Sequence, residues 1–177
     1  MLEIIVKGME LFDDEKNEFF TVKTQTLKLE HSLVSISKWE SKWHKSFLSS
    51  SDKTNEEILD YIRCMTINQV DPNVYKILSR DNIDEIEKYI EDPMTATTIV
   101  SENSGRREII TSELIYYWMV SYRIPLDCEK WHLNRLLTLI KICNAKNQPA
   151  KKMSGREIYN QNRLLNEARR RKYHTKG

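Results

Sequence analysis

The apolar residues of this 177-residue chain change their spacing at His31, and that change constrains the fold more than any other feature. Before it, "LEIIV", "EFFTV" and "TLKLE" alternate as strands do, and "DDEKN" at 13–17 supplies turn-forming residues. These thirty residues are expected to form a small antiparallel sheet. From His31 onward Leu33, Ile36, Trp39 and Trp43 recur every three or four residues, which predicts a helix with both tryptophans on one face. With only 4 Gly and 4 Pro in the chain, the remainder has few helix breakers. The expected class is mainly α (α+β): a helical body, a small N-terminal antiparallel β-sheet, a short internal β-hairpin and a basic C-terminal helix.

The elements can be placed one by one. Thr54 and Glu57 have the capping-box spacing that opens "NEEILDYIRCM", whose buried stripe is expected to be Ile58, Tyr61, Ile62 and Met65. Asp71 before Pro72 marks the start of a short helix holding Val74, Tyr75, Ile77 and Leu78. Ile83, Ile86 and Ile90 keep helical spacing in the next segment, which Pro93 closes. Two β-branched runs, 97–100 and 108–111, flank Asn103, Ser104 and Gly105 and read as a hairpin. "SELIYYWMVSYRI" is apolar on nearly every side, the pattern of a helix buried on several faces at the centre of the core. Past Pro125, Asp127 is the expected N-cap of "EKWHLNRLLTLIKIC", and Ser154 with Glu157 forms a capping box for the final basic helix, with Ile158, Leu164, Leu165 and Ala168 as its thin apolar stripe.

Charge divides the chain in two. From Lys141 onward 11 basic residues face two acids, a balance of +9, while 17 basic and 24 acidic residues precede it, a balance of −7. An acidic body over 1–148, with its β element at 1–30, is therefore expected to carry a basic tail over 149–177. Such a tail suits an acidic protein surface, a nucleic acid or the body's own acidic face; protein contact or solvation is favoured over nucleic acid. No apolar run approaches the roughly 20 residues that cross a bilayer, and the N-terminus lacks the features of a secretory signal. Cys64, Cys128 and Cys143 are an odd number at wide spacing, which fits reduced thiols in a cytosol.

The residues with reactive side chains do not assemble into a motif. On one helix His132 and Cys143 would be about 16 Å apart, too far to share a metal or a proton. Cys128 and His132, four apart, could supply two metal ligands, but no spacing announces a third or fourth among Cys64, His31, His44 and the carboxylates. There is no nucleophile elbow, Gly-rich phosphate loop or HExxH, so no catalytic residue, metal or cofactor is expected. Projected at 3.6 residues per turn, Leu133, Leu136, Leu137, Leu139, Ile140 and Cys143 share a broad apolar arc, with His132 hydrogen-bonded at its rim. Trp131 and Ile142 form a smaller patch beside it that is either core or a contact for another chain.

Four segments resemble a known family: "LEHSLVSISKWESKWHKSFL", "DYIRCMT", "IYYWMVSYRIPLDCEKWHLNRLLTLIKICNAKNQPAKKMSGREI" and "NRLLNEARRRKYHTKG". From about residue 25 to the end the chain resembles tail assembly chaperones of tailed bacteriophages. The resemblance implies a non-enzymatic factor of the host cell cytoplasm that binds the tape-measure protein, keeps it soluble and promotes polymerisation of tail tube subunits around it. In such families a longer, frameshifted form is often made. On this reading Trp131, Ile142, Leu164, Leu165, Arg169, Arg170 and Arg171 are the candidate partner contacts, and self-association stays open. Two alternatives stand beside it: a virion structural subunit of the tail or connector, and a nucleic-acid-binding module using the basic helix.

Overall fold

The structure, a computed structural model, describes residues 1–13, 17–98, 109–147 and 155–173. Two compact units divide the chain, Met1–Lys146 and Asn147–Gly177. The first begins with four strands, β1 (Leu2–Val6), β2 (Met9–Asp13), β3 (Glu18–Val22) and β4 (Gln25–Leu29). β1 pairs antiparallel with β4 and β2 with β3, so the second hairpin is nested inside the first. The strand "MELFD" escapes the sequence pattern, which placed one strand, not two, ahead of the turn. Gly8 joins β1 to β2 where no side chain fits: a Cβ there would lie 2.6 Å from the Val22 carbonyl oxygen.

One face of the β1–β4 ribbon buries Ile4, Val6, Leu27 and Leu29, as period-two alternation requires. The outer edge of β4 is covered. Leu29 bridges to Thr66, the Ile67 amide donates to the Lys28 carbonyl at 2.9 Å, and the Asn68 side chain bonds both the Lys28 amide and the Thr26 carbonyl. This short bridging segment covers part of the edge that would otherwise template aggregation.

α1 (Leu33–Trp43) starts at the Ser32 cap, and α2 (Asn55–Met65) starts with the expected capping box of Thr54 and Glu57. The α2 stripe differs from expectation. Ile58 is 37% exposed, whereas Glu57 and Asp60 are buried with Tyr61, Ile62 and Met65. The cause lies on and just beyond α1: Lys45 pairs with Glu57 and Lys42 with Asp60, both at 2.5 Å, while the Trp43 indole donates to Asp60 at 2.9 Å and the Trp39 indole to the Glu57 carbonyl at 2.8 Å. Carboxylates turn inward here because partners wait for them. In keeping with this, hydrogen bonds from Lys45 and Thr54 hold the Glu57 carboxyl below the usual carboxylate range.

Pro72–Ile77 is a 3₁₀ turn capped by Asp71, and α3 (Arg80–Glu91) follows with a Ser79–Asn82 capping box. The expected internal hairpin lies mostly outside the described residues, and 97–98 and 109–110 beside it are not strand. α4 (Ser112–Ser121) corrects a second expectation: only Ser112, Ile115 and Met119 are buried, on one face, while Tyr117 and Val120 are 65% and 68% exposed. The third correction concerns the segment before α5. Glu129 and Lys130 belong to a 3₁₀ turn, Leu126–Lys130, and α5 (Leu133–Asn147) begins after His132, so Asp127 is not its cap. Its apolar arc otherwise stands, with Leu133, Leu136 and Ile140 buried and Leu137, Leu139 and Cys143 packed against the core. Asn134 reaches from α5 to the Ile90 and Asp92 carbonyls at 2.9 and 2.8 Å, satisfying the C-terminus of α3.

The second unit contains α6 (Gly155–Tyr173). Ser154 and the Glu157 side chain, the expected capping box, lie outside the description. Within the first unit, one buried side chain ties distant segments together. Glu40 accepts from the Phe47 amide at 2.8 Å and from the Ser112 amide, the first of α4, at 2.7 Å. Glu40→Ala leaves two amide donors without their acceptor and is expected to cost on the order of 3 kcal/mol, read as a lower urea midpoint at unchanged slope.

Candidate functional site

The buried reactive groups gather at one junction. His31 ends the β4–α1 connection, and His132 stands opposite it: Ser32 and His132 form an isolated antiparallel bridge, and the Leu133 amide donates to the His31 carbonyl at 2.8 Å. The two imidazoles lie 5.0 Å apart between ring centres, flanked by Tyr61 and Tyr89. Burial, with the nearby His132, pushes the His31 pKa down to about 3. Burial also lowers His132, opposed in part by its bond to the Tyr89 carbonyl. The Tyr61 hydroxyl and His31 Nδ1 share a hydrogen bond at 2.5 Å, and burial holds the Tyr61 phenol well above its ordinary value. His132 Nε2 donates to the Tyr89 carbonyl at 3.0 Å, leaving Nδ1 buried and unpartnered.

Two neutral histidines locked this way do not suit proton transfer near neutrality. Nor do they ligate with the thiols. Cys128 lies in the 3₁₀ turn and His132 beyond it, so the shared helical face expected of them does not exist. Among the described residues no three His, Cys, Asp or Glu side chains are placed to hold a metal. Burial, with Asp60 beside it, raises the Cys64 thiol, the reverse of what activates a nucleophile. An open cleft of about 650 Å³ is lined by Arg63, Thr66, Asn68, Gln69, Val70, Pro72 and Tyr75. Its polar groups are largely engaged: Asn68 on β4, the Tyr75 hydroxyl on Thr66 at 2.9 Å and the Arg63 guanidinium over the Tyr75 ring at 5.3 Å.

The body also exposes some large apolar side chains, on α4 beside the exposed Glu113. Tyr117 and Val120, three apart, point away from the buried face of α4, and Leu126 just beyond is 59% exposed. No charged residue occurs from Leu114 to Tyr122, although charged residues make up 31% of the chain. The uncharged run signals this surface, yet uniform apolarity reads equally as burial. The β2–β3 hairpin adds a second exposed element, with the Phe12 and Phe19 rings 4.9 Å apart and 45% and 70% exposed.

The residues singled out from the sequence fall in three places. Trp131 packs partly against the core under the Arg135 guanidinium, 4.2 Å from its ring. It precedes α5, whereas Ile142 lies half-buried about 14 Å along that helix from Leu133, so the projection that joined them does not apply. Leu164, Leu165, Arg169, Arg170 and Arg171 are all exposed on α6, the two leucines at 61% and 49%. Among the described residues no helix is long and apolar enough to cross a membrane. No protein-family model, curated protein or solved structure matches this chain.

The histidine pair makes stability depend on acid. Both imidazoles bind protons more weakly folded than unfolded, so below about pH 6.5 the unfolded chain takes up more protons and stability falls with pH, for His31 down to about 3. His31→Gln is expected to lower stability at neutral pH but to flatten its decline between about pH 7 and 5. Urea titrations across that range check this, and parallel curves for the two proteins would refute it.

Proposed function

We propose that this chain is a non-enzymatic tail assembly chaperone of a tailed bacteriophage, acting in the host cytoplasm. It binds the helical tape-measure protein, covers its apolar stripe and promotes assembly of tail tube subunits around it. The family resemblance over most of the chain supports this reading. The structural observation that carries it is the apolar part of the outer face of α4, where Tyr117, Val120 and the neighbouring Leu126 are exposed, with Glu113 as the one charge on that face, at its N-terminal end.

Interface centres are enriched in aromatic side chains and ringed by polar ones, and Tyr117 and Val120 with Glu113 at the N-terminal end fit that pattern. An isolated tape-measure helix exposes an apolar stripe along its length and aggregates. Laying that stripe against a helix face removes apolar area from water on both partners, at roughly 25 cal/mol per Å². No chemistry on the bound chain is required.

Co-expression with the tape-measure protein of the same genome tests the proposal. The tape measure is expected to become soluble and to copurify. Tyr117→Glu combined with Val120→Glu should keep the circular dichroism of the native fold yet weaken capture by about tenfold or more, since charges placed at an interface centre are left unpaired. A tape measure that stays insoluble, or a double variant that captures it equally well, sinks the idea.

A further inference from the structure

α6 is a helix about 28 Å long with little to hold it as a structural element. Every side chain described on it is exposed. One ion pair is formed among them, Arg163 to Glu167 at 3.7 Å, and an exposed pair contributes less than about 1 kcal/mol. A helix that leaves Tyr159, Leu164 and Leu165 open to water and has no lattice of such pairs among the described residues is stabilised by a partner. Its own charge points to the partner's sign: six cations stand against two acids over 155–173.

The kind of cation narrows the partner further. α6 carries five arginines and one lysine, whereas residues 1–146 carry 13 lysines and 6 arginines. A solvated helix face has no reason to invert that ratio. Guanidinium groups bind phosphate and guanine edges through paired hydrogen bonds that an ammonium does not make. The helix dipole favours cations near the C-terminus, which covers Arg169, Arg170 and Arg171, but it opposes Arg156 in the first turn and is indifferent to Arg163 at mid-helix.

Placement selects between partners of that charge. At about 100° per residue, Arg156, Arg163 and Arg170 fall within about 40° of one another and climb in steps of about 10.5 Å. Arg169 and Arg171 stand about 100° to either side of Arg170. A flat acidic protein surface meets only one side of a helix. A groove with phosphates on both walls meets the central stripe and both flanks at once. The B-DNA major groove, about 12 Å wide, admits an α-helix; the deep, narrow major groove of duplex RNA does not. Asn160 and Asn166 project about 60° to either side of the stripe's centre, and Glu167, paired with Arg163, about 40° from it; amides read adenine edges and a carboxylate accepts from cytosine.

We infer that α6 is a DNA-binding helix that seats in the major groove of a duplex, with Arg156, Arg163 and Arg170 along its floor-facing stripe and Arg169 and Arg171 on the two phosphate walls. The inference rests on residues of α6 alone and does not depend on the chaperone reading.

The test is fluorescence anisotropy of the full chain with a labelled DNA duplex of about two helical turns. The two phosphate-wall arginines give a salt slope near −1.8, a loss of roughly 12-fold between about 50 and 200 mM salt. Arg169→Ala with Arg171→Ala should remove most of that slope, and Arg163→Ala with Arg170→Ala should weaken binding at least about tenfold with the slope unchanged, both with helicity retained by circular dichroism. The Tyr117→Glu, Val120→Glu protein should bind DNA unchanged, which separates this result from failure of the chaperone reading. No binding at low salt overturns the inference. Equal or tighter binding to poly-glutamate assigns the helix to an acidic protein instead, and equal binding to duplex RNA overturns the groove placement.

Discussion

The two oxygens of the Glu40 carboxylate hold apart and together three segments of the body: α1, which carries the side chain, the turn at Phe47 and the first amide of α4. A helix N-terminus exposes amides with no internal acceptor and a partial positive charge, so a buried carboxylate aimed at it satisfies hydrogen bonding and electrostatics together. Some 72 residues separate Glu40 from Ser112 in sequence. With α4 fixed at that end, Ile115 and Met119 reach the core on one face and Tyr117 and Val120 face outward. The proposed binding face is thus oriented by a charge its own helix does not contain.

The same logic recurs on α2. Glu57 serves twice, closing the capping box with Thr54 and accepting from Lys45. Asp60 accepts from both Lys42 and Trp43. Removing two carboxylates from water is costly unless every lone pair finds a donor. Here α1 and the residues just beyond it supply the donors, and the α1–α2 pair becomes a polar seam beside the aromatic stack of Trp39, Phe47 and Tyr61. The neutral histidine pair at the β4–α1 and α5 junction is a further inward-facing polar element, kept uncharged by burial.

Recognition is divided between chemically unlike surfaces. The body offers Tyr117 and Val120 on α4 with a single acid, Glu113, beside them; α6 offers five guanidinium groups alongside a thin exposed apolar stripe. Apolar contact is insensitive to ionic strength, while arginine contacts to phosphate weaken steeply with it. Binding at the two surfaces can therefore be tuned and assayed independently.

Local pattern was enough to locate three of the four N-terminal strands, the helix starts at Thr54 and Asp71, and the apolar arc of α5, because capping geometry and periodicity depend on residues within a turn or two of each other. It also placed the charge of the tail, a matter of counting. Local pattern misjudged which side chains turn inward. Ile58 has the spacing of a core residue, but pairing with Lys42 and Lys45 draws Glu57 and Asp60 to that side instead. The α4 segment is apolar all round, yet the body covers one face, and nothing within those ten residues says which. His132 was legible as a bonded histidine, but its pairing with His31 joins residues a hundred positions apart. Contacts between segments distant in the chain made these choices, since the energy of a buried charge or an exposed aromatic depends on what lies across from it.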